Sequence, residues 1–184
     1  MADPNATRRD ADLDHRPEAK WLEDAFLRHQ EELLGLLYYL VGNIEDARDA
    51  LQDTFIKCWN HRDGLADIEN LRAWIFRIAL NTGRDARTRA WRRRRRPLEE
   101  GESLLVTTDN KPEAEVLHHE RLAMVRRALK QLRPEEQEVF LLRQNGQMTY
   151  QQIAESINTP VGTAKTRMRS ALTKLREAID GKMK

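Results

Sequence analysis

Residues Thr149 to Leu175 read TYQQIAESINTPVGTAKTRMRSALTKL, two short helical patterns joined by a tight turn, the second one basic. Ile153, Ala154 and Ile157 give the first pattern a single apolar face. Thr159-Pro160 then supplies a capping hydroxyl followed by the one helical position where a missing N–H is harmless, so a new helix is expected from Pro160. Along it Val161, Ala164, Met168, Ala171, Leu172, Leu175 and Ile179 recur at three- and four-residue spacing as a packing stripe. Gly162, Thr163, Lys165, Thr166, Arg167, Arg169, Ser170 and Lys174 fall on the remaining surface. A basic outer face by itself describes many solvated surface helices. Preceded by a helix and a turn, it has the layout of a helix-turn-helix reader of duplex DNA.

The rest of the chain reads as the same all-α class. At 184 residues, with 34% charged and 40% hydrophobic side chains, it suits one or two small helical domains. No stretch rich in Val, Ile or Thr alternates apolar with polar residues, and Asn145-Gly146 sits between helical patterns, where it makes a helix stop rather than a hairpin. The single cysteine, Cys58, excludes an internal disulfide and a multi-cysteine zinc site within one chain, fits a reducing cytoplasm, and is expected to be a buried apolar residue. The N-terminus lacks the apolar core of a signal peptide and no window approaches a membrane span. A soluble, cytoplasmic protein without membrane insertion is expected.

A net charge of +2 hides strong segregation along the chain. Residues 1–20 mix Asp, Arg, Pro and Asn without periodicity and read as a flexible N-terminal arm. Arg84, Arg87, Arg89 and the unbroken run Arg92 to Arg96 form a basic block. Residues 97–115 reverse the sign and carry Pro97, Gly101 and Pro112, as a flexible acidic linker would. The chain therefore divides into helical domains at 21–96 and 116–184.

Within the first domain, Trp21 to Val41 carries Trp21, Ala25, Phe26, Leu33, Leu36, Leu37 and Leu40 at helical spacing, and Gly42-Asn43 closes it. The next helix, Ile44 to Asn60, has a core stripe of Ile44, Ala47, Leu51, Phe55 and Cys58. Its opposite side holds Glu45, Asp49, Gln52, Ile56 and Trp59, and a polar face ending in Ile and Trp suggests a protein partner. Trp59 folded into the core is an equally open reading. After a loop at His61 to Asn70, a helix from Leu71 to Arg96 starts with Trp74, Ile75, Ile78 and Ala79 facing a core and turns to arginine from Asn81 onward, with Trp91 interleaved. Helical throughout, it would be about 39 Å long, enough to lie along a DNA backbone.

Asp46 to Trp59, DARDALQDTFIKCW, followed by LRAWIFRIALN at Leu71 to Asn81, Asp85 and the arginine-rich helix end, resembles region 2 of bacterial sigma factors of the extracytoplasmic-function group. LRPEEQEVFLLR at Leu132 to Arg143 and the helix-turn-helix after it resemble their region 4. Both halves stand in the family's order, joined by a short linker, without a region 3 or an acidic region 1.1.

The resemblance implies a non-enzymatic protein that binds core RNA polymerase and directs it to promoter DNA, with an anti-sigma factor as a further partner and a monomer when free. Region 4 would read the −35 element as duplex, through Gly162, Thr163, Lys165, Thr166, Arg169 and Ser170. Region 2 would open and read the −10 element, through Asp63, Asn70, Asn81, Arg84, Arg87 and Arg92, with the acidic 61–70 loop departing from the family's more basic version. Asp49, Gln52, Asp53 and Ile56 would face core polymerase, with Phe55 structural. Asp85 is expected to cap or orient arginines. No Ser-His-Asp grouping, glycine-rich phosphate loop or HExxH motif supports catalysis, no cofactor is implied, and Glu115, His118 and His119 are too sparse a set for a metal. Two other readings are a helix-turn-helix repressor or response-regulator-like DNA-binding protein, which needs a dimer interface or a sensor domain, and a protein-only helical adaptor, which the arginine helix argues against.

Overall fold

The computed structural model describes residues 17–95, 124–125 and 127–180, and these are helices and turns with no strand among them. The first half supplies α1 (Pro17–Arg28), α2 (Gln30–Val41), α3 (Ile44–Asn60) and α4 (Leu71–Arg95), with a 3-10 segment, Arg62–Asp67, between the last two. The second supplies α5 (Pro134–Gln144), α6 (Tyr150–Ser156) and α7 (Val161–Asp180), preceded by helical residues at 127–131. Most of the arm expected at 1–20, the whole expected linker at 97–115, and Glu115, His118 and His119 lie outside the described residues.

Helical spacing explains the core of the first half. Leu33, Leu36, Leu37 and Leu40 fall on one stripe of α2 and are buried against α3 and α4 together with Ala47, Cys58, Ile75, Phe76, Ala79 and Leu80. Burial pushes the Cys58 thiol up to about 12, so it is an inert packing group. The helices cross closely at Gly83, where an added Cβ would lie 2.8 Å from Leu40 Cδ1. Two fully buried threonines, Thr54 and Thr82, donate to the carbonyls of Ala50 and Ile78 one turn back, which satisfies them without breaking either helix. Gly42, at φ 98°, ends α2 with its N–H on Tyr38 O, and Asn43 Oδ1 accepts the Asp46 N–H at 2.8 Å to start α3.

Several sequence expectations are corrected here. The Trp21 to Val41 pattern is two helices, because His29 leaves the helical path at φ −110°, ψ 11° and its N–H turns back to Phe26 O. α1 begins at Pro17, within the stretch expected to be arm, since Ala19, Leu22 and Phe26 share one buried face. Trp21 lies off that face and is 47% exposed. Ile44 and Leu172, expected in packing stripes, are exposed, one at the first position of α3 and the other beside the buried edge of α7. Trp59 is half-buried, its ring 5.8 Å from Phe55 and under the Arg62 guanidinium, so the core claims most of it.

The two halves meet. Val139, Leu141, Leu142, Met148, Ile153 and Met168 belong to the same continuous apolar cluster as the α2 leucines, while Ala128, Leu129, Leu132, Ala171 and Leu175 form a second, smaller one. Polar contacts rim the junction: Gln137 Nε2 donates to Tyr39 O at 3.1 Å, and Arg72 donates to the carbonyls of Gly146 and Asn145 at 2.8 and 2.9 Å.

Candidate nucleic-acid and polymerase interface

The helix-turn-helix is closed by its own backbone. Thr149 Oγ1 accepts the Gln152 N–H at 3.2 Å while Gln152 Oε1 accepts the Thr149 N–H at 2.9 Å, a reciprocal cap that starts α6. At its end Asn158 takes a left-handed φ of 48°, and the Thr159 N–H returns to Ala154 O at 2.9 Å. The Pro160 carbonyl then receives the Thr163 and Ala164 amides, so Pro160 itself is the cap and α7 starts at Val161, one residue later than expected.

This geometry sets where α7 begins. Ala164, Met168, Ala171 and Leu175 are buried, whereas Gly162, Lys165, Thr166 and Arg169 are exposed and Thr163 is half-buried. The side chains of Lys165 and Arg169 pair with no described residue, and Thr166 Oγ1 donates to Gly162 O at 2.9 Å. Ser170 departs from expectation: its hydroxyl is turned away from that face and donates to Glu136 Oε1 at 2.8 Å, since it lies on the edge of α7 nearest α5.

The arginines of α4 are arranged differently. Arg84 forks onto Glu138 of α5, Nε to Oε1 at 2.8 Å and Nη2 to Oε2 at 2.5 Å, and Arg87 Nη2 stands 3.9 Å from the same carboxylate. The Glu138 hydrogen bond raises the Arg84 pKa above its ordinary value. Asn81 joins the group, its Oδ1 accepting from Arg84 at 3.3 Å. Arg92 is exposed. Thus three of the residues expected at the −10 element, Asn81, Arg84 and Arg87, cluster around one carboxylate of the other half.

Asp63 and Asn70, expected from the preceding loop, lie in the 3-10 segment and immediately before α4. Asn70 Oδ1 accepts the Ala73 N–H at 2.9 Å and caps α4, while Leu65, fully buried, anchors the 3-10 segment. Asp85, expected to cap or orient arginines, pairs with none among the described residues. It faces Lys57 at 3.6 Å, because position 85 lies on the side of α4 turned to α3.

Family models for sigma-70 region 2 and sigma-70 region 4 match residues 25–93 and 122–175. The RNA polymerase sigma-E factor of Streptomyces avermitilis is 32% identical over 164 residues, which cover 87% of this chain and 86% of that relative. This chain belongs to the RNA polymerase sigma factors. The sigma factor YlaC of Bacillus subtilis is 27% identical over 163 residues, 85% of this chain and 94% of its own. Other relatives carry the extracytoplasmic-function designation. In fold it is similar to the sigma factor RpoE of Bartonella quintana, solved in complex with the anti-sigma factor NepR, with a TM-score of 0.67, 22% identity, and coverage of 88% of this chain and 98% of that one.

The face of this sigma factor expected to meet polymerase is assembled as the α3 spacing requires. Asp49, Gln52 and Asp53 line one polar recess of about 320 Å³ with Asp46 and Arg89, and Arg89 Nη2 holds Asp53 Oδ2 at 3.3 Å. Ile56, one turn beyond Gln52, is 49% exposed. Beyond Gln52 a second, apolar groove of about 560 Å³ opens between α1, α2 and α3, lined by Phe26, Leu27, Leu34, Leu51 and Phe55. Sequence reasoning missed Leu27, 68% exposed, because helical spacing alone does not reveal the break at His29 that leaves it at a helix end.

Proposed function

We propose that this sigma factor binds core RNA polymerase through the α3 face of Asp49, Gln52, Asp53 and Ile56 and recruits it to promoters whose −35 element is read by α7. The observation that carries this is the division of α7: one side is buried in the domain and the other presents Gly162, Lys165, Thr166 and Arg169 together, with two cations free of described partners. Lys and Arg at that spacing reach phosphates and base edges in a major groove, and the exposed helix start brings backbone amides to a phosphate.

The −10 role falls to α4 and the loop before it, with Asn81, Arg84, Arg87, Arg92, Asp63 and Asn70. Holding an unstacked strand needs a basic track and a base pocket, and no bond-making chemistry. Arg84 and Arg87 are engaged by Glu138, so reading the −10 element requires them to exchange that carboxylate for phosphate, which separates the two halves. The division into an arm at 1–20, domains at 21–96 and 116–184 and a flexible linker at 97–115 suits such a separation. The protein acts in the cytoplasm as a monomer when free and catalyses no reaction of its own; no described helix is long and apolar enough to cross a membrane. An anti-sigma factor is the natural regulator, and the apolar groove beside Gln52 offers a helix-sized seat.

Electrophoretic mobility tests the reading against its rivals. A sigma factor shifts promoter DNA mainly in the presence of core polymerase. A shift of duplex by the chain alone as a dimer would instead indicate a repressor, and no shift in either case an adaptor.

A further inference from the structure

Glu136 is nearly enclosed, at 5% exposure, yet every lone-pair direction of its carboxylate is used. As the third residue of α5 it accepts the Arg133 N–H through Oε2 at 3.0 Å, closing the cap of that helix. The remaining bonds come from α7: Ser170 Oγ at 2.8 Å and Lys174 Nζ at 2.7 Å to each oxygen. Ser170 and Lys174 are one turn apart. At about 100° per residue they lie on the seam of α7, between the buried stripe of Ala164, Met168, Ala171 and Leu175 and the exposed face of Lys165, Thr166 and Arg169. Two of the buried residues are alanines, whose small side chains give little shape to resist rotation of α7 about its axis. A carboxylate gripping one edge at two successive turns does resist it, because a few degrees of rotation breaks directional bonds to a buried charge.

We propose that Glu136 is the positioning residue of the recognition helix: it fixes the azimuth at which Lys165, Thr166 and Arg169 meet the −35 element and holds the Lys174 ammonium away from the phosphates. This rests on the −35 reading above. Glu136 touches no DNA itself. Its loss lowers discrimination between sequences and leaves the charge that attracts any duplex intact or enlarged.

The test uses the full-length chain assembled with core polymerase, on templates that share one −10 element and carry an intact or a scrambled −35 element. Glu136→Gln keeps the volume and removes the charge. It is expected to reduce the intact-to-scrambled ratio of initiation about tenfold, while affinity for scrambled DNA holds or rises and the log–log salt slope steepens by up to about 0.9 as Lys174 becomes available. A second variant, E136M with K174M, replaces the pair by apolar side chains that a buried site commonly accepts without loss of stability. It is expected to melt like the parent and still lose discrimination, a combination that a purely stabilising role does not produce. Unchanged discrimination in either folded variant overturns the proposal, as does unfolding of both at the assay temperature, which would assign Glu136 to stability alone. If the parent itself fails to distinguish the two templates, the −35 reading is what has failed. If the parent distinguishes them and the folded variants do too, only the role of Glu136 falls.

Discussion

The two basic helices of this sigma factor present their charge in opposite ways. On α7, Lys165 and Arg169 face outward with no described partner, while the polar residues at its edge, Ser170 and Lys174, are bound to Glu136. On α4 several arginines are themselves bound: Arg72 to backbone carbonyls beyond α5, Arg84 and Arg87 to Glu138, and the exposed Arg89 to Asp53. Glu136 and Glu138 stand two residues apart on one short helix, yet one organises its own domain and the other ties down the neighbouring one. The difference teaches that where a carboxylate sits decides whether the outer cations of a basic helix are left free. In the proposed reading, this arrangement leaves α7 free to meet duplex, whereas Arg84 and Arg87 on α4 must first leave Glu138.

Replacing both Lys165 and Arg169 with Ala strikes the free face directly. With about 1–3 kcal/mol for each good base contact, initiation dependent on the −35 element should fall roughly a hundredfold while polymerase binding by pull-down persists. Unchanged promoter output would erase the contrast. The bound face responds in the other sense: Glu138→Gln removes the charge-assisted fork, worth about 1.5–3 kcal/mol, so the radius of gyration of the free chain should increase and its affinity for single-stranded −10 oligonucleotide rise about tenfold. A compact variant with unaltered affinity would show that Glu138 does not restrain α4.

Acid sharpens the contrast on the Glu136 side. Burial raises the pKa of that carboxyl, but hydrogen bonds from Lys174, the Arg133 amide and Ser170, with the lysine's charge, bring it down from 4.5 to about 2. A carboxylate depressed in the folded state contributes stability that is complete above about 4.5 and lost as the pH falls from there through about 2. The parent should therefore lose several degrees more of melting temperature over that interval than Glu136→Gln does; parallel curves would contradict it. Smallest is the cap of α6: Thr149→Ala should cost about 0.5–2 kcal/mol by denaturant unfolding, with promoter preference unchanged.

Much of this was legible in the sequence. The 3.6-residue periodicity of Leu33, Leu36, Leu37 and Leu40 and of Ala164, Met168, Ala171 and Leu175 names the buried faces, and Asn43, Thr149 and Gly42 mark helix ends because capping is a local hydrogen-bonding matter. Exposed Gly162, Lys165, Thr166 and Arg169 followed from the same count. Local patterns do not announce their long-range partners. Ser170 looked like a surface hydroxyl until α5 placed Glu136 beneath it, thirty-four positions away. Arg84 looked like a nucleic-acid contact, and its carboxylate partner lies fifty-four positions on, across the domain junction. The break at His29 was hidden because the apolar residues on either side keep helical spacing through it.

Transcription by purified core polymerase from a library of random promoter sequences tests the central claim most directly, with the chain present or withheld. The account predicts initiation only when the chain is present, from templates enriched for one pair of elements at fixed spacing, with the upstream preference lost in the Lys165 and Arg169 double variant. Initiation that is independent of the chain, or dependent on it with no shared sequence among the templates, would contradict it.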